Sequence, residues 1–176
     1  MMETNDSLLP DRDTMPVWPF DLIVDGIYYK HVRSTNQVIV TSSDNNRFEY
    51  REDFIIPRKV TYREREYQVT GIGKDAFSYS AIFFIEIPDC VTNIGDGAFR
   101  ACTGLTSITI SKNVSNIGKF AFFDCNLLKE IRVEAPVPPI CGEKVFEFIP
   151  KTCKLIVPEN SKKAYRGAAE WKNFLF

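Results

Sequence analysis

Histidine is nearly missing from this chain: His31 is the single example in 176 residues. A metal centre of the usual zinc type draws on paired His and Cys ligands at short spacing. The five cysteines, at 90, 102, 125, 141 and 153, form no C-x-x-C pair. A Ser-His-Asp site is equally hard to assemble around one histidine without an acid pair at a useful spacing, and His31 reads as a strand-surface residue beside Tyr29 and Lys30. No excess of one charge is present either. Lys plus Arg number 22 against 23 acids, a formal charge of -1, so there is no field to gather nucleic acid. Apolar runs fall well short of the roughly 18 residues that span a bilayer. The opening MMETNDSLLPDRDTMPVWPF lacks the basic start and apolar centre of a secretory signal. These gaps exclude cofactor, metal, nucleic acid and membrane insertion as first expectations, and predict no enzyme.

What fills the chain instead is repetition. VTNIGDGAFRACTGLTSITISKN, from Val91, is followed by VSNIGKFAFFDCNLLKEIRVEA, from Val114. Ile94, Ala98, Phe99, Cys102, Ile108 and Ile110 have counterparts 23 residues later in Ile117, Ala121, Phe122, Cys125, Ile131 and Val133. An earlier unit, VTGIGKDAFSYSAIFFIEIPDC, starts at Val69, and FIIP at Phe54 and LIVP at Leu155 echo its strand. Val145-Phe146 stands where the Ala-Phe pairs stood. A period of 20 to 30 residues with apolar alternation marks a solenoid, whose units bury their apolar faces only by stacking.

Each segment of the unit has a physical reading. In LTSITI the inward residues Ile108 and Ile110 are two apart, as the pleat requires, leaving Thr106, Ser107 and Thr109 toward solvent. Pro57, Pro88 and Pro158 end strands because proline donates no hydrogen bond. V-x-x-I-G is a second short extended segment, with Gly73, Gly95 and Gly118 easing a turn. The Ala-Phe pair is expected on a brief helical or 3-10 turn, with Phe77, Phe99 and Phe122 stacked as an interior column. Cys102 and Cys125 fall on adjacent coils about 4.8 Å apart and are expected to stay reduced. Gly71-Ile72-Gly73-Lys74-Asp75-Ala76 matches G-x-G-x-x-A, but the next units read NIGDGA and NIGKFA there, so it reads as a repeat corner and not a dinucleotide fingerprint.

The pattern L-x-x-I-x-I-x-x-x-V-x-x-I-G-x-x-A-F-x-x-C resembles the BspA-like leucine-rich repeats, common in bacterial surface and secreted proteins, over about residues 54 to 158. Ser80 departs from the family's cysteine, and Ser111 and Glu134 from its strand-ending proline. The resemblance implies a strand-rich α/β fold: a right-handed leucine-rich repeat solenoid of about three full coils of 22 to 23 residues. It also implies a non-catalytic protein-binding or adhesion module, at the cell surface or secreted. Its partner would be a protein or peptide, extracellular matrix or another surface protein; the chain itself would be a monomer. The competing expectation is a structural spacer of a surface array with no ligand of its own.

One domain is expected, in four stretches. Residues 1–19 form a mobile leader; 20–68 an N-terminal β cap, with hairpins at Asp25-Gly26 and Arg63 to Glu66, and a first partial repeat; 69–135 the three repeats. Residues 136–176 hold a degenerate last repeat and a helical cap, begun at Asn160 or Ser161, with Ala164, Tyr165, Ala168 and Ala169 on one face and Trp171 and Phe174 beyond. APVPPI, 135–140, runs extended into the last coil. Sequons at Asn5 and Asn113 matter only in a glycosylating pathway. In-register stacking sets Phe83, Thr106 and Lys129 in one outward column, Phe84, Ser107 and Glu130 in a second, and Ile55, Glu86, Thr109, Arg132 and Ile156 in a third. Phe83 and Phe84 are the unusual members, and Phe83, Phe84, Glu86, Thr109, Lys129 and Arg132 make the candidate contact surface.

Overall fold

The computed structural model describes residues 21–43, 50 and 54–174, with the side chain of Phe54 left aside. The expected leader 1–19, the sequon at Asn5 and Phe20 lie outside these residues. Among these residues, thirteen strands and one short α-helix follow in order: β1 Leu22–Val24, β2 Ile27–Val32, β3 Gln37–Thr41, β4 Phe54–Ile55, β5 Lys59–Tyr62, β6 Arg65–Ile72, β7 Phe84–Ile87, β8 Asn93–Ile94, β9 Ser107–Ile110, β10 Asn116–Ile117, β11 Glu130–Val133, β12 Ile140–Cys141, β13 Lys154–Ile156 and α1 Lys162–Gly167.

The repeat winds two parallel ladders. β4, β7, β9, β11 and β13 pair in that order, with Ile85, Ile108 and Ile131 side by side and Glu86, Thr109 and Arg132 beside them. This is the register that the period of 23 demands. Ile85, Ile87, Ile108, Ile110, Ile131 and Val133 are all buried. Because Thr109 sits on the outer side of the same strand, Thr109→Ala is expected to change unfolding free energy by no more than about 0.5 kcal/mol, measurable by urea denaturation.

The second ladder runs β6, β8, β10, β12, and it continues into the N-terminal strands. β3 pairs parallel to β6 as though it were a preceding coil, and β2 and β1 close it antiparallel. The expected hairpins are present. Asp25 and Gly26 turn β1 into β2 with φ of 49° and 76°, and Arg63 and Glu64 turn β5 into β6 with φ of 48° and 60°, the paired positive values of a tight hairpin turn. The sequence did not reveal that β6 serves at once as hairpin strand and first coil, so cap and solenoid share one sheet.

Two corner expectations need correction. The Ala-Phe segment is not helical. It is a run of β-turns, closed by Ala98 N–H to Gly95 O and Cys102 N–H to Phe99 O, while alternate amides reach the next coil: Gly97 to Lys119 O, Phe99 to Ala121 O and Ala101 to Phe123 O, each 2.8 Å. Alternation of local and lateral bonds forces positive φ at two places per coil, 97 and 101 or 120 and 124, which a helix cannot supply. Nor do Gly73, Gly95 and Gly118 ease a turn through backbone freedom; among the glycines only Gly26 and Gly97 have positive φ. Space is their reason. A Cβ on Gly95 would lie 2.6 Å from the Gly73 carbonyl carbon, and one on Gly118 would meet the Asp96 backbone nitrogen.

The interior column is longer than the three expected rings. Phe77, Phe99 and Phe122 stack with centroids 5.2 Å apart and planes within 1°, and Phe146 continues at 5.6 Å. Tyr50 closes one end at 4.9 Å and Trp171 the other at 4.9 Å. Near-parallel rings are not the preferred aromatic geometry; the coil spacing imposes them. Four coils therefore contribute a ring, one more than the sequence count of full repeats.

At the C-terminus the cap is smaller than expected. α1 spans six residues, no side chain caps its N-terminus, and Ala168 is already extended. Ala164 and Ala169 are exposed; among the described residues of the cap, Tyr165 and Trp171 are the fully buried ones. These two close the stack by hydrogen bonding. Ser115 N–H donates to Thr92 O and Ile140 N–H to Ser115 O, and the next carbonyl in that series, Pro139 O, accepts from Trp171 Nε1 at 3.0 Å. Tyr165 donates its hydroxyl to Ala135 O. An indole thus supplies the bond that a further coil would have made.

Candidate functional site: the outer face of the strand ladder

The five-stranded ladder turns its inner side, filled by isoleucine with Val133 and Leu155, into the core and its outer side to solvent. The site residues predicted from sequence fall where the register puts them. Phe84, Ser107, Glu130 and Lys154 align in one row and Ile55, Glu86, Thr109, Arg132 and Ile156 in the next. Phe83 stands just before β7, and its carbonyl accepts from Thr106 N–H at 2.9 Å, whose carbonyl in turn accepts from Lys129 N–H at 2.8 Å. Lys129 therefore shares a row with Phe83.

The two phenylalanines separate. Phe83 is 57% exposed, whereas Phe84 is half-buried, and Ile55, on the neighbouring strand, is 77% exposed. Neither Phe83 nor Ile55 belongs to the core or packs against it, so both are available on the solvent side of the ladder. Glu86, Lys129, Arg132 and Lys154 are exposed, and Arg132 pairs with Glu130 at 3.3 Å. Such an exposed pair contributes little to stability, roughly 0 to 1 kcal/mol.

A second aromatic cluster escaped the sequence reading. Phe120, Phe123 and Phe148 meet on the turn side, with centroids 5.6 and 5.1 Å apart and rings nearly perpendicular, and Arg100 lies 5.6 Å over Phe123. Phe148 is 63% exposed. A signal was available. The corner that reads DGAFR in one unit reads KFAFF in the next, so bulky rings stand where the repeat needs none.

The features that suggested chemistry resolve into structure. His31 lies on β2 with its Nδ1 3.3 Å from Asp21 and its ring edge-on to Tyr67. The G-x-G-x-x-A stretch ends β6 and runs into turns, with no helix to hold a phosphate. A cleft of about 320 Å³ between the last coil and the C-terminal segment is lined by Phe146, Glu147, Ile149, Cys153 and Phe174 among others; His31 is not part of it. Among the described residues, no three His, Cys, Asp or Glu side chains converge on a metal position, and no helix is long and apolar enough to cross a membrane.

All five cysteines are free thiols. Cys102 and Cys125 donate to the carbonyls of Phe77 and Phe99 in the preceding coil, at 2.9 and 3.1 Å. Burial pushes the Cys102 thiol up to about 12 and Cys125 well above its ordinary value of 9.0. The folded state therefore keeps protons that the unfolded chain sheds above 9, so this contribution is full below pH 9 and is lost as pH rises toward about 12. Melting temperatures followed over that range should fall less steeply for Cys102→Ala/Cys125→Ala than for the parent chain.

Comparison with known proteins agrees with this geometry. Residues 70–170 match the BspA type leucine rich repeat region, in six copies. A leucine-rich repeat protein from Bacteroides ovatus superposes with a TM-score of 0.60 at 27% identity, over 80% of this chain and 38% of that one. One from Bacteroides capillosus gives 0.63 at 26% identity, over 78% and 97%. A leucine-rich cell surface protein from Faecalibacterium prausnitzii shares the fold, with a TM-score of 0.51 at 20% identity over 84% and 44%. This chain thus spans well under half of the first of these proteins and nearly all of the second. No curated protein is similar enough to count as a relative.

Proposed function

Because the chain belongs to the BspA-type leucine-rich repeat family, we propose that it is a protein-binding module whose contact surface is the outer face of the strand ladder. Leucine-rich repeat folds generally mediate protein interactions without catalysis, and the observation that carries the reading here is the exposure of Phe83 and Ile55 beside a charged margin. Interfaces commonly concentrate binding energy in an aromatic anchor with polar residues around it. Phe83, Phe84, Glu86, Thr109, Lys129 and Arg132 are the proposed contact residues. Five strands about 4.8 Å apart span about 20 Å, which suits a modest, reversible contact more than a permanent interface.

A place at the cell surface, and adhesion there, is part of the same proposal; the named cell-surface protein of like fold supports it. The spacer alternative has less support, since the β1–β3 meander closes one end of the stack and Trp171 and Tyr165 close the other. Phe83→Ser is the direct test. It should leave the melting temperature unchanged and weaken capture of a surface-protein or matrix partner by about tenfold or more. Full capture by the variant would move the site off this face.

A further inference from the structure

Polarity changes across the ladder. Among the described residues, the outer side carries Ile55 on β4, Phe83 just before β7, and Glu86 as the charged residue of these two strands. Around β11 and β13 it carries Lys129, just before β11, with Arg132 and Lys154, against Glu130 on these strands. Arg132 is neutralised by Glu130 at 3.3 Å. No salt bridge is formed by Lys129 or Lys154 among the described residues. An apolar step at one end and two uncompensated ammonium groups at the other define a complementary ligand.

We propose that the ladder face takes an extended acidic peptide segment of a partner protein, an apolar side chain seated against Phe83 and carboxylates reaching Lys129 and Lys154. This rests on the strand-face reading above. The spacing fits an extended chain. From β7 to β11 and β13 is two to three strand intervals, about 10 to 14 Å, which an extended segment covers in about three to four residues. Toward β4, Glu86 is the one acidic side chain of the described strands β4 and β7, so the preferred order places acid and not base at the far end. The chain's overall charge of -1 and the presence, among the described residues of this face, of only Lys129 and Lys154 as cations without a salt bridge argue against a bare polyanion, which would need a broad basic surface.

The experiment is fluorescence anisotropy on the full chain with three labelled probes: a peptide alternating Phe and Glu with Ser spacers, the same peptide with Lys for Glu, and polyglutamate. The Phe/Glu peptide should bind best, lose about tenfold in affinity with Lys129→Glu/Lys154→Glu, lose similarly with Phe83→Ser, and weaken as salt is raised. Preference for the Lys peptide, abolished by Phe83→Ser, would overturn the acidic assignment and leave the strand-face reading intact. Polyglutamate binding as well as the Phe/Glu peptide would also overturn it, by removing the apolar anchor. Binding indifferent to all three substitutions would remove both this inference and the strand-face reading, and no binding by any probe would overturn the peptide assignment.

Discussion

Phe99→Ala is expected to cost about 3 to 5 kcal/mol of unfolding free energy, a fall of roughly 6 to 20 °C in melting temperature for a chain of this size. Phe99 has no exposed surface and is sandwiched between Phe77 and Phe122 at 5.2 Å on either side. Its removal takes away ring contacts in both directions and leaves a cavity that cannot collapse, because the coil spacing is fixed by backbone hydrogen bonds from Phe99 to Ala121 and from Phe77 to Ala98. Burial of a whole aromatic side chain contributes the transfer part, and the unfilled volume adds the rest. Calorimetry of the variant beside Thr109→Ala separates core from face; similar losses at both positions would mean that the column is not the organising core.

Gly118→Ala is the second large effect, at about 3 kcal/mol or more of destabilisation, the upper end of what overpacking costs. Elsewhere, replacing glycine by alanine stabilises by about 0.4 to 1 kcal/mol through the unfolded state. Here the added methyl would stand 2.6 Å from the Gly95 carbonyl carbon and against the Asp96 backbone nitrogen and carboxylate. The two backbone atoms cannot move aside as a side chain tip can. They belong to the adjoining coil, where Gly118 N–H donates to Ile94 O at 2.8 Å and Lys119 N–H to Asp96 Oδ1 at 2.8 Å. Relief of the clash therefore breaks the second ladder. Gly167→Ala is the matched control: nothing lies within 4 Å of its would-be Cβ, so denaturant titration should show neutrality or a slight gain. A neutral Gly118→Ala would mean that the coils are farther apart than the ladder implies.

Part of the candidate surface was legible before any coordinates. The period of 23 residues fixed which side chains share a row, so the alignment of Glu86, Thr109 and Arg132 followed from counting. Counting could not separate Phe83 from Phe84. Adjacent residues on an ideal strand point opposite ways, but β7 begins only at Phe84, and outside the strand the alternation no longer governs. Exposure of Phe83 was therefore decided by where the pairing starts. The aromatic cluster of Phe120, Phe123 and Phe148 was missed for a related reason: a corner has no simple period, and its two left-handed positions per coil turn side chains in directions that neither strand nor helix rules predict.

By itself, the order of residues determined the stack: an apolar residue recurring at the same place in each unit has one way to leave water, which is to lie on its copy in the next coil. Three things waited for the tertiary structure, namely the merging of the N-terminal hairpins with the second ladder, the need for glycine at the corners, and the closure by Trp171 and Tyr165. Each depends on distances between segments far apart in sequence, such as the 3.0 Å from the Trp171 indole to Pro139 O. A repeat specifies its neighbours because they are copies of itself, whereas an end has no copy to meet and is set by whichever side chain can satisfy the last open hydrogen bonds.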